Sequence, residues 1–196
     1  MRLAALLTLL VVLLSCRTRV PEDATEAINL MSKYVQGGRY DAAIKLGQDW
    51  LNKHPNDTAH KGTMYGQIGL ICLVKASKGA AGREEWIQKT VAYYDQSLSV
   101  SEKGSLHIEL YDAGRGFEQA GDLSPANRCS YYTRAVRALE KEIPFIQGDS
   151  YSAYGATLPL APLRQEHQQA LERVKTKLVK AGCNTGPVNS SPQGSR

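Results

Sequence analysis

From Pro21 to Lys180 the apolar residues recur three and four positions apart, in seven stretches separated by glycine, proline or short polar runs. That spacing gathers apolar side chains on one face of an α-helix, whereas strict alternation would gather them on one face of a strand. No convincing alternating stretch occurs anywhere. The chain must therefore bury its apolar faces by packing helix on helix, and the expected fold class is all-α.

The first helix is expected to open at Pro21, with Glu22, Asp23 and Glu26 placed against the positive end of its dipole. Ala24, Ala27, Ile28, Leu30, Met31 and Tyr34 follow at helical spacing, and Gly37-Gly38 ends it. A second helix spans Tyr40 to Lys53 and stops before Pro55. The third, Thr58 to Ala76, contains Gly62, Gly66 and Gly69, each costing about 1 kcal/mol relative to alanine, which implies a neighbour in close approach. Further helices are expected at Glu84–Val100, Ser105–Ala120, Pro125–Glu142 and Pro162–Lys180. In the last, Leu163, His167, Ala170, Leu171, Val174 and Leu178 form one stripe. Arg164, Glu166, Arg173, Lys175 and Lys177 lie on the other face, which reads as a solvent-facing cap. Residues 143–161, interrupted by Pro144, Gly148, Gly155 and Pro159, read as a connecting loop carrying Phe145, Tyr151 and Tyr154. These aromatics either grip a partner or pack over the end of the bundle. Residues 182–196 have the composition of a disordered tail.

The 196 residues carry a net charge of +5, but the basic residues are dispersed and no nucleic-acid module is present. Mild attraction to an anionic surface is the use such a charge supports. Of the four cysteines, Cys72 sits in an apolar run and reads as a small buried hydrophobe. Cys129 and Cys183 remain available for a disulfide if the sixth and seventh helices pack antiparallel; otherwise both stay reduced. The cysteines and His54, His60, His107 and His167 show no metal-ligand spacing, and no cofactor is expected.

Before Pro21, Leu3 to Leu14 is uncharged and follows Arg2. It is too short to span a bilayer and fits a secretory leader over residues 1–15. The block Leu13-Leu14-Ser15-Cys16 resembles the lipobox of bacterial lipoproteins. The resemblance implies cleavage before Cys16, acylation of that residue, and a lipidated tether over residues 16–20. An ordinary secretory signal with an incidental cysteine is the plainer alternative. Arg17 is not the aspartate that marks inner-membrane retention in enteric bacteria, which favours an outer-membrane anchor facing the periplasm.

The helices also come in pairs. Gly38-Arg-Tyr40-x-x-Ala43, with Trp50 and Pro55 after it, resembles the tetratricopeptide repeat, a helix hairpin that nests on its neighbours. Ala113-Gly114-x-x-Phe117-x-x-x-Gly121-Asp122 followed by Tyr132-x-x-Ala135-Val136 repeats the pattern. Ile68-Gly69-x-x-Cys72 with Tyr94-x-x-Ser97-Leu98 is its weaker middle copy. The resemblance implies about three stacked antiparallel hairpins over residues 21–142, with residues 162–181 as a C-terminal cap. It also places Tyr34, Cys72 and Phe117 at equivalent positions. Only the first pair keeps the helix-ending proline, and the spacing exceeds the family's period; a generic bundle is the alternative.

No glycine loop of phosphate-binding type occurs, and the carboxylate pairs Glu84-Glu85 and Glu140-Lys-Glu142 are expected on polar helix faces. The expected function is not enzymatic, an enzyme with a site dispersed over distant residues being a further alternative. It is a membrane-anchored envelope scaffold that binds protein or peptide segments and takes part in assembling an envelope complex. Its groove residues are expected to be Lys33, Gln67 and Glu109, exposed near the first-helix packing positions. A periplasmic binder of small ligands, using the aromatic loop and the bundle end, is the alternative.

Overall fold

The structure is a computed structural model that describes residues 20–79, 81–100, 106–148, 150–153 and 156–183. The expected leader, Cys16, most of the tether, Tyr154 and nearly all of the tail lie outside the described residues. Seven helices occur among those described: α1 (Ala24–Gln36), α2 (Tyr40–Lys53), α3 (Lys61–Ser77), α4 (Arg83–Val100), α5 (Leu106–Leu123), α6 (Arg128–Glu142) and α7 (Leu160–Lys180). The first starts three residues later than expected, because the Asp23 carboxylate accepts from the Glu26 backbone N–H at 2.8 Å and so fixes the cap.

Consecutive helices form three antiparallel hairpins, α1–α2, α3–α4 and α5–α6, and α7 covers the last. The first helices of the hairpins also touch one another in series: α1 meets α3, α3 meets α5, and α5 meets α7. The backbones of their second helices stand farther apart and meet through side chains, Gln48 of α2 donating to Tyr93 Oη of α4 at 2.7 Å and Arg134 of α6 to Asp95 of α4 at 2.8 Å. Closer spacing on one side of a stack curves it toward that side, so the first helices line the concave face.

Glycine makes the tightest of these approaches. A Cβ on Gly116 of α5 would fall 2.1 Å from Tyr94 of α4, and one on Gly121 would fall 2.5 Å from Tyr132 of α6. Gly69 sits against the α4 backbone at Thr90, and the Gly62 carbonyl accepts from Ser97 Oγ at 2.7 Å. The glycines of α3 thus serve the α3–α4 approach their number implies.

Two apolar clusters form the core. Met31, Trp50, Met64, Ile68 and Cys72 belong to the N-terminal one, and Ile87, Phe117, Leu139 and Val174 to the C-terminal one. Trp86 packs against both, with the ammonium groups of Lys75 and Lys89 at 3.8 Å and 4.2 Å from its ring. Tyr34, Cys72 and Phe117 are all buried. Burial pushes the Cys72 thiol up to about 12, so it stays a neutral packing group.

The connection before α7 departs from the expected loop. Ile143–Ile146 forms a 3-10 turn anchored by buried Ile146, and β1 (Ser150–Ala153) pairs antiparallel with β2 (Ala156–Pro159), Ser150 opposite Pro159. Strands of four residues offer too few alternations to register as a period in the sequence. The guanidinium of Arg164 donates to the carbonyls of Ile146, Gln147 and Gly148, tying the turn to α7.

Candidate functional site

On the concave face a groove of about 90 Å³ lies between α3 and α5. Gln67 and Leu70 line it from α3, Asp112, Arg115 and Gln119 from α5, and Tyr94 forms part of its floor. Gly66 and Gly116 also line it, and the missing side chains let α4 close in, with Ser97 facing Gly66 and the Tyr94 ring against Gly116. Asp112, Arg115 and Gln119 follow at i, i+3 and i+7, a polar stripe beside the buried stripe of Ala113, Phe117 and Ala120. Leu70 is 42% exposed among these polar groups.

Arg115 is held by two neighbours: it donates to Tyr111 Oη at 3.0 Å and lies 3.9 Å from Glu118. Burial, then the nearby charge of Glu109, raises the Asp112 carboxyl above its ordinary range, while Arg115 pulls it back. The groove thus offers amides, one cation, one carboxylate and one exposed leucine among its described lining residues, with no nucleophile beside a base there.

The expected groove residues divide. Gln67 lines the groove and is half-buried, and Lys33 is exposed on α1, outside the α3–α5 lining. Glu109 is not exposed as expected: it is 7% exposed, accepts from Thr63 Oγ1 at 3.1 Å, and leaves Oε2 without a hydrogen-bond partner. The α3–α5 approach covers it, which a single-helix periodicity does not reveal. Leu70, Asp112, Arg115 and Gln119 escaped the sequence reading. Their one signal was a leucine three residues after Gln67, on the rim of the buried stripe. Phe145 projects from the 3-10 turn at 55% exposure, and Tyr151 lies on β1 opposite Leu158.

Two further expectations are corrected where α7 meets the stack. Glu142 does not lie on a polar face: it is 0% exposed, with Oε1 2.6 Å from Nδ1 of buried His167. The His167 ring stacks on Tyr111 at 3.6 Å between centroids. This pair is closed to solvent and so has no access for a reactant. The polar side of α7 is not merely solvated either. Arg173 grips Glu118 of α5 through two hydrogen bonds of 2.8 and 2.9 Å, and Lys177 reaches both Glu118 and Asp122. Glu118 is buried, which raises its carboxyl, but the bonds from Arg173 and Lys177 outweigh this and hold it below the usual range. A disulfide joins Cys129 at the start of α6 to Cys183 beyond α7, with Cα atoms 5.4 Å apart, inside the 7 Å reach that such a bridge needs.

Among the described residues no group of three or more His, Cys, Asp or Glu is placed to hold a metal ion. No family model matches the chain, and no curated protein matches it.

Proposed function

We propose that this chain is a non-enzymatic scaffold held at a bacterial envelope membrane, facing the periplasm, by acylated Cys16. The outer membrane is the favoured location, and the ligand is a segment of another envelope protein laid along the concave face. One observation carries the binding part: the first helices adjoin in series, and the groove between two of them displays Leu70 among Gln67, Asp112, Arg115 and Gln119. Amide side chains match the donors and acceptors of a peptide backbone, and an exposed leucine supplies an apolar anchor. The helix-pair pattern resembling tetratricopeptide repeats supports the same use, since nested hairpins present their first helices to a partner.

Photo-crosslinking residues placed at Gln67 and Gln119 in cells provide the test. Both are expected to give one shared adduct that Leu70→Asp abolishes, while a crosslinker at Gln48 on α2 does not give it. The same adduct from all three positions, or one insensitive to Leu70→Asp, would overturn the groove as the binding face.

A further inference from the structure

The opposite face carries a second feature, independent of the concave groove. A cavity of about 350 Å³ opens between α4 and α6, above α5. Its floor is apolar: Leu98 from α4, buried Leu110 and Phe117 from α5, and buried Ala138 from α6. Its wall is cationic. Arg134, Arg137 and Lys141 of α6 all line it, at i, i+3 and i+7, so they stand on one stripe of that helix. Asp95 is the one carboxylate among the described residues of the lining.

The three cations are not equivalent. Arg134 donates to Asp95 Oδ2 at 2.8 Å and lies 5.4 Å over the Phe117 ring, so its charge is balanced and its position fixed. Arg137 and Lys141 are exposed and have neither an ion-pair nor a hydrogen-bond partner among the described residues. The described lining therefore carries an excess of two positive charges beside an apolar floor. Its volume falls in the range of small-molecule sites, roughly 300–1,000 Å³.

We propose that this cavity binds a small amphipathic anion: an apolar body, acyl or aryl, seated on Leu98 and Phe117, with a phosphate or carboxylate head between Arg137 and Lys141. The two parts of the lining select the two parts of the ligand. An uncharged apolar molecule leaves the cations unsatisfied, and a bare anion leaves the apolar floor wet.

Phenyl phosphate is a suitable probe, because it is soluble enough to titrate the full chain in mild detergent. Inorganic phosphate supplies the head alone, and benzyl alcohol the ring alone. Calorimetric titration is expected to show saturable binding of phenyl phosphate, about tenfold tighter than either fragment. The exposed double variant Arg137→Gln/Lys141→Gln should lose about tenfold in affinity with its melting temperature unchanged, and Leu98→Gln should weaken the aryl ligand but not inorganic phosphate. Because the two cations are exposed, their variant tests the proposal even if Leu98→Gln does not fold. No saturable binding, equal binding of inorganic phosphate and phenyl phosphate, or full affinity in the double variant would each overturn it. Crosslinking in the concave groove is unaffected by these variants, so the two readings stand or fall separately.

Discussion

Glu142 has no exposed surface, and its Oε2 meets no hydrogen-bond donor, while Oε1 lies against His167. Burial pushes this carboxyl from its ordinary 4.5 up to about 7. The folded chain therefore holds a proton that the unfolded chain releases. The contribution to stability is fully present below pH 4.5 and is lost as pH rises through about 7. At about 1.4 kcal/mol per pH unit, the loss between those limits is on the order of 3 kcal/mol. Glu142→Gln keeps a polar contact to His167 without a titrating proton. Urea unfolding at pH 4.5 and pH 8 is expected to show the wild type losing about 3 kcal/mol more than the variant across that range. Equal losses would mean that Glu142 does not titrate on folding. The same residue marks a boundary of sequence reading. His167 was legible as a member of an apolar stripe on its own helix, but Glu142 was not. Its burial comes from α7 returning over α6, a contact between residues far apart in the chain.

At the scale of elements, the number and order of helices were legible from helical spacing and from glycine or proline near most ends, even though α3 is apolar on most faces and α4 buries Thr90 and Ser97. The strands β1 and β2 were not, since four residues put only two side chains on either face. The candidate site was half legible for a related reason. Gln67 lies on a helix whose buried stripe can be read from the sequence, but whether Glu109 or Asp112 faces the groove depends on the roll of α5 against α3. That roll is a matter of packing between elements, in which Gly116 of α5 meets Tyr94 of α4, and is not written in either helix alone. The capping helix shows the converse case. Its polar face read as solvated, yet Glu118 of α5 draws Arg173 and Lys177 onto the stack, and the Cys129–Cys183 bridge fixes its far end. The bridge spans 54 positions, and closing a loop of that size in the unfolded chain is worth about 4 kcal/mol in the chain-entropy account. The double variant Cys129→Ser/Cys183→Ser is expected to lose stability of that order in urea, with hydrogen exchange rising more in α7 than in α1 and α2. A loss below about 1 kcal/mol, with α7 still protected, would show that apolar packing and ion pairs hold the cap without the bridge.

Among the described residues the hairpins stack with their first helices adjoining on one face and their second helices, linked by side-chain hydrogen bonds, on the other. What it does depends on where that stack is held. Among the described residues no helix is long and apolar enough to cross a membrane, and the proposed attachment is the acylated Cys16. Pro21 is already buried, and the Val20 carbonyl accepts from Lys53 Nζ at 3.2 Å, so the fold would begin within a few residues of a lipid on Cys16. The anchor would then hold the α1–α2 end near the headgroups. A single acyl chain, at about 0.8 kcal/mol per buried CH₂, holds a protein only marginally, whereas the several chains of a lipoprotein anchor hold it durably. Cys16→Ala should therefore abolish palmitate labelling and move the protein from the membrane to the soluble fraction. The melting temperature should stay unchanged, because Cys16 precedes the packed region that begins at Pro21. The groove adduct from Gln67 and Gln119 should weaken in the same cells, since the scaffold would no longer be concentrated beside membrane-bound partners. Retained labelling in the Cys16→Ala chain would remove the lipobox reading. Lost labelling with an undiminished adduct would keep the anchor but free the scaffold's partner from the membrane.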